Sequence, residues 1–192
     1  MNPCYTRPPY RGARVSWYER LNQIENVMEY IEGELVGTSC RVGIVVSKFN
    51  EFVTNRLLVG AESMLKQLGT PEDQIQVVKV PGAFELPLAA KALAQSGRFD
   101  AVVCLGAVIR GETPHFEYIS AEVGRGIGNT ALATGIPVVF GVLTTNTVDQ
   151  ALDRSGPPEC NKGADAVRTA VEMANLMKKL QDENSRQLGF LT

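Results

Sequence analysis

Residues 106–118 read G-A-V-I-R-G-E-T-P-H-F-E-Y, and the run leading into them, Ala101 to Ala107, carries Val102, Val103, Cys104 and Leu105. A short, β-branched, apolar run of this kind predicts a strand buried on both faces. It stops abruptly, because Arg110, Gly111, Glu112, Thr113 and Pro114 are loop residues. Thr113-Pro114 sets a capping residue type beside one tolerated in a first helical turn, so a helix is predicted from about His115. Its first backbone N–H groups lack intrahelical partners and point at the loop, which makes a place for an anion. His115, the one histidine of the chain, stands beside it with the side chain best suited to acid–base work at neutral pH.

Outward from this stretch the same alternation recurs. Val42-Gly43-Ile44-Val45-Val46 predicts a strand, and Phe52, Val53, Leu57, Ala61, Met64, Leu65 and Leu68 follow at helical spacing up to Gly69. Ile75 to Val80 is a second strand, Glu85 to Gln95 a helix with Pro87 early, and Ala101 to Ile109 the third strand. Phe116, Ile119, Val123, Ile127, Ala131 and Leu132 form the stripe of a helix toward Gly135, and Pro137 to Leu143 a fourth strand. A short helix over Val148 to Arg154, a Gly156-Pro157-Pro158 break and a long helix from about Gly163 to Leu180 complete the pattern. Strands alternating with helices imply right-handed crossovers. The expected fold is a single α/β domain, a three-layer sandwich whose four-stranded parallel sheet carries helices on both faces in the flavodoxin-like manner. The domain is expected over residues 28–180, with a C-terminal tail over 181–192. Residues 1–27 form an N-terminal extension: 1–16, with Arg7, Arg11 and Arg14, read as a solvated tail or an address, and Trp17, Leu21, Ile24, Met28 and Ile31 recur at helical spacing.

A net charge of −2 and a pI near 5.5 offer no electrostatic case for a nucleic-acid partner. No run reaches the length of a membrane span. Cys4, Cys40, Cys104 and Cys160 have neither metal-ligand spacing nor a disulfide framework, which points to a reducing compartment, the cytoplasm.

In an open parallel sheet, ligands bind beyond the carboxyl ends of the strands. That edge gathers Ser47-Lys48-Phe49-Asn50, Pro81-Gly82-Ala83-Phe84-Glu85, Arg110 to His115 and Thr144-Thr145-Asn146. Two aromatics with amides, hydroxyls, an acid and a histidine suit a flat polar molecule with an anionic part. Phe49 is read either as a stacking platform or as a cap on a helix face, and Glu85 either as a first-turn acid favoured by the helix dipole or as a holder of substrate hydroxyls. Gly124-Arg125-Gly126-Ile127-Gly128 is not a dinucleotide fingerprint, since it lies inside a helical period rather than after a strand. Its glycines fit close approach of a neighbouring helix. Arg154 and Lys162 flank the Gly-Pro-Pro break, either as a solvated surface or as part of a site completed on a neighbouring subunit, with Arg154 as a phosphate clamp.

Five motifs in order, G-I-V-V-S-K-F-N, V-P-G-A-F-E-L-P, L-G-A-V-I-R-G-E-T-P-H-F-E-Y, V-V-F-G-V-L-T-T and N-K-G-A-D-A, resemble the 6,7-dimethyl-8-ribityllumazine synthase family over about Met28 to Lys179. The resemblance implies condensation of 5-amino-6-(D-ribitylamino)uracil with 3,4-dihydroxy-2-butanone 4-phosphate, with no metal and no organic cofactor. It implies that His115 is the proton shuttle. Phe49, Asn50, Ala83, Phe84, Glu85, Ala107, Val108, Ile109 and Lys162 would hold the ribitylaminouracil. Glu112, Thr113, Phe140 and Arg154 would hold the butanone phosphate, with Phe140, Arg154 and Lys162 entering from the adjacent subunit. It further implies a homo-oligomer of pentamers, alone or closed into an icosahedral shell, and riboflavin synthase as a partner. Against the family's usual R-A-G-T-K-A-G-N-K-G, residues 154–163 read R-S-G-P-P-E-C-N-K-G: length and end cations are kept, an internal lysine is absent, and the lack of an insertion leans toward a shell. The rival readings are a non-catalytic flavin or lumazine binder and a shell-forming protein on the same fold.

Overall fold

The computed structural model describes residues 28–157 and 159–189. The expectations for the N-terminal tail, for Trp17, Leu21 and Ile24, for Pro158 and for residues 190–192 lie outside these. Met28 and Ile31, which are described, are in no helix, and the α/β unit runs from Glu32.

Strands and α-helices alternate along the chain: β1 (Val42–Ser47), α1 (Glu51–Gln67), β2 (Ile75–Val80), α2 (Leu86–Gln95), β3 (Ala101–Ile109) and α3 (His115–Thr134). They are followed by β4 (Val138–Thr145), α4 (Val148–Arg154) and α5 (Lys162–Gly189). The four strands are parallel and ordered β2-β1-β3-β4. The expected three-layer sandwich is therefore the fold.

Alternation along the strands sorts the helices. Val42, Ile44 and Val46 of β1 and Ala101, Val103, Leu105 and Ala107 of β3 pack with α1, α4 and α5. Val45, Val102, Cys104 and Val108 face the opposite way, onto α2 and α3. Ile44, Leu57 and Leu105 are wholly buried, each worth about 2 kcal/mol in area removed from water. Burial alone pushes the Cys104 thiol up to about 12, so it behaves as a small apolar side chain.

The differences from the sequence-based expectation have local causes. Thr144 and Thr145, expected as loop, continue β4 and pair with Val108 and Ile109, as β-branched residues beside a free strand end will. Helix α5 runs on to Gly189, beyond the expected end at Leu180 and into the segment read as a tail. Its apolar stripe stops near Met177, but no proline or glycine interrupts residues 178–188, so helical propensity carries it further than the stripe predicts. Leu132, expected on the buried stripe of α3, is 87% exposed. A β-carbon on Gly126 would come within 2.8 Å of the Pro87 side chain, so this glycine does allow α2 and α3 to approach closely.

At the pole opposite the strand carboxyl ends, Asp100 accepts from the Arg41 backbone N–H at 2.7 Å and from its guanidinium at 3.1 and 3.2 Å. Burial alone would raise the Asp100 carboxyl, but these hydrogen bonds and the charges of Lys178 and Arg41 outweigh it and hold the group below the ordinary carboxylate range.

The turn between α4 and α5 is fixed by Asn161, which is 2% exposed. Its Oδ1 accepts from the N–H groups of Gly163 and Ala164, capping α5, while Nδ2 donates to the carbonyls of Arg56, Ser155 and Gly156. A β-carbon on Gly60 would sit 2.2 Å from this amide, so the helix α1 backbone comes in directly against it. Asn161→Ala therefore removes a cap and strands buried carbonyls, and is expected to cost about 2–4 kcal/mol. Chemical denaturation should report it as a lower midpoint with an unchanged slope.

Candidate active site

At the carboxyl edge of the sheet, where β1 and β3 part company because the chain goes out to β2 and returns, lies a cleft of about 610 Å³. This is the topological switch point at which α/β sheets bind ligands. The loop after β1 supplies Phe49, the turn after β2 supplies Ala83, Phe84 and Glu85, and the end of β3 supplies Ala107, Val108 and Ile109. Thr113 and His115 come from the loop and first turn that follow β3. Nine of the residues expected at a site are thus brought to one cavity by three consecutive strand ends.

Several of them have local work that the sequence left open. Phe49 and Phe84 are 69% and 57% exposed, so neither caps a core, and both rings are free to face a flat ligand. Glu85 Oε2 accepts from the Gly82 N–H at 3.0 Å, closing the 3-10 turn Ala83–Glu85 that opens α2. The first-turn reading is correct for that oxygen, and the residue nonetheless lines the cleft. Asn50 has φ 58°, a left-handed conformation that asparagine tolerates better than most residues. Its Nδ2 donates to the Ala107 carbonyl at 2.9 Å, tying the β1 loop to the end of β3. Asn50 therefore shapes the cleft floor rather than lining it.

Helix α3 starts at His115 with Pro114 before it and no side-chain cap; the cap expected of Thr113 does not form. Glu117 donates its N–H to the Pro114 carbonyl at 3.1 Å, while the N–H groups of His115 and Phe116 have no intrahelical partner and are available to an anion. His115 is exposed, and its imidazole makes no hydrogen bond or ion pair to the described residues. Glu112 lies on the exposed loop between Gly111 and Thr113, both of which line the cleft, but is not itself a lining residue.

Phe140, Arg154 and Lys162 are not in this cleft. Phe140 pairs with Cys104 in mid-strand, five residues before Thr145, which at about 3.3 Å per residue is roughly 16 Å below the strand ends. Its ring is 43% exposed on the edge strand. Arg154 ends α4 and donates to the Gln150 carbonyl at 3.0 Å, and Lys162 pairs with Asp165 at 2.8 Å. Both belong to helices on the α1 side of the sheet, whereas the cleft opens beside α2 and α3. The sheet itself separates them.

Pro81, Gly82, Gly111, Phe116 and Ile119 complete the lining. Phe116 and Ile119 were read only as a helix stripe, and no periodicity could have told cleft wall from core, since both are apolar and half-buried.

The motif order along these strand ends is matched by a family model, that of 6,7-dimethyl-8-ribityllumazine synthase, over residues 39–178. The chain belongs to that family. A 6,7-dimethyl-8-ribityllumazine synthase of Syntrophus aciditrophicus (strain SB) is 56% identical over 149 residues, covering 78% of this chain and 97% of that protein. The function is accordingly that of a lumazine synthase, a transferase of riboflavin biosynthesis. The lumazine synthase match covers every residue of the cleft, and among the described residues no helix is long and apolar enough to cross a membrane.

Proposed function

We propose that the cleft is where 5-amino-6-(D-ribitylamino)uracil and 3,4-dihydroxy-2-butanone 4-phosphate condense to 6,7-dimethyl-8-ribityllumazine. The carrying observation is the convergence of exposed aromatic rings, backbone polar groups and an uncapped helix start on one cavity. Phe49 stacks on the pyrimidine, and Ala83, Phe84, Glu85, Ala107, Val108 and Ile109 hold the ring and ribityl chain, with Asn50 fixing the loop that carries Phe49. Thr113 and the first N–H groups of α3 take the phosphate, with Glu112 on the same loop. The amine of the pyrimidine attacks the ketone carbonyl, water leaves to give an imine, phosphate is eliminated, and the second nitrogen closes the ring with loss of water. Each step moves a proton, and His115 at the mouth of the phosphate subsite gives and takes it.

Phe140, Arg154 and Lys162 serve the cleft of a neighbouring copy. This assigns a use to three exposed groups outside their own cleft: Arg154 and Lys162 across the sheet from it, and Phe140 on its face but well below the strand ends. The protein then works as a ring of five subunits, alone or closed into an icosahedral shell, in the cytoplasm, and passes its product to riboflavin synthase. Mixing purified protein with both substrates should raise lumazine absorbance with one phosphate released per lumazine formed. Tight lumazine binding without turnover would support the binder reading instead.

A further inference from the structure

Arg110, itself outside the cleft lining, contacts Asn146, Glu117 and the cleft-lining Phe116. The loop 110–114 is exposed, has no regular structure, and leads into a helix without a side-chain cap. What fixes it is one residue. The Arg110 backbone N–H donates to the Thr145 carbonyl at 2.9 Å, and its Nε donates to Asn146 Oδ1 at 2.8 Å. Its Nη1 donates to the Glu117 carboxylate in the first turn of α3. The guanidinium lies over the Phe116 ring, 4.3 Å from the centroid. Asn146 is itself held, its N–H donating to Gln150 Oε1 at 2.9 Å.

We infer that Arg110 is a positioning residue for the proposed reaction, bridging the end of β4 to the first turn of α3 so that Thr113 and His115 keep their places around the anion subsite. The inference rests on the assignment of His115 given above. The ion pair is too exposed to count for much in stability, with side chains 43% and 51% accessible. Its geometry is what matters: only a planar fork can reach Asn146 and Glu117 and cover an aromatic face at once, and lysine, with the same charge, cannot. Glu117 responds to this contact, since the hydrogen bond from Arg110 holds its carboxyl below the ordinary range. The pyrimidine-binding groups come from the turns after β1 and β2 and from β3 itself, whose residues 107–109 are held by their ladder to β4 rather than by this bridge.

Arg110→Lys is therefore expected to lower kcat by about 10- to 100-fold, the penalty for a reacting group displaced by an ångström or so, and to raise KM for the butanone phosphate while leaving KM for the pyrimidine unchanged. In a His115→Ala background the same substitution should add no further loss in kcat, because the proton-carrying group it positions is gone, while the rise in KM for the butanone phosphate through Thr113 persists. Asn146→Ala and Glu117→Gln each cut one arm of the bridge and should give smaller losses that do not add to that of Arg110→Lys; they carry the test if Arg110→Lys fails to assemble. Wild-type kinetics in all three, or an equal fold-loss in kcat from Arg110→Lys with and without His115, overturns the inference. A His115→Ala protein that turns over at the wild-type rate overturns the site assignment beneath it, whatever Arg110 does.

Discussion

His115→Ala slows turnover by about 10²- to 10⁴-fold, the range for losing one positioned acid–base group, while both substrates still bind. The expectation follows from what the cleft contains. Among the described residues the other ionisable lining group is Glu85, one of whose oxygens accepts from the Gly82 N–H. The remaining lining is the Thr113 hydroxyl with aromatic, aliphatic and backbone groups, suited to holding a ring and a phosphate and to little else. Every stage from amine attack to ring closure needs a proton moved, so positioning alone supplies the part of the acceleration that survives the substitution. Stopped-flow absorbance of the lumazine, with substrate affinities measured separately by titration, checks it. Turnover close to the wild-type rate would remove His115 from the role of proton shuttle.

Arg154→Ala and His115→Ala are each expected to be nearly inactive, yet a random mixture of the two, assembled together, should recover about a quarter of the wild-type activity. In a head-to-tail ring each site needs an intact His115 from one subunit and an intact Arg154 from the next, and each is present half the time. The structural ground is that α4, which ends in Arg154, packs on the α1 face of the sheet, whereas the cleft opens on the α2 and α3 side. Within one chain the guanidinium instead donates to the Gln150 carbonyl of its own helix. Native mass spectrometry would establish that the rings are mixed. Mixed rings no more active than the separate variants would mean that no site is shared and that Arg154 belongs elsewhere.

The sequence by itself determined the alternation of strands and helices, and with it the layers. β2, β3 and α4 run over the residues that periodicity predicts, because a parallel strand buried on both faces must be continuously apolar and an amphipathic helix must repeat its stripe. It also determined which loops meet: once the strands are parallel, Phe49, Ala83 to Glu85 and the segment before His115 have to emerge on one edge, whatever the strand order. Tertiary structure decided what each side chain does there. That Asn50 directs its amide to the Ala107 carbonyl, that the buried Asn161 donates to the Arg56 carbonyl of α1, and that Arg110 ties the end of β3 to Asn146 after β4 all depend on groups 36 to 105 residues apart in the chain. Such contacts leave no local period, because hydrogen bonds satisfied across the fold constrain only the pair that makes them. The same holds for Leu132, whose place on a helical stripe matched burial until the packing of α3 turned it outward. Which face of the sheet a helix covers is set by crossover handedness and strand order together, and that alone put Arg154 and Lys162 on the far side from the cleft that their chain forms.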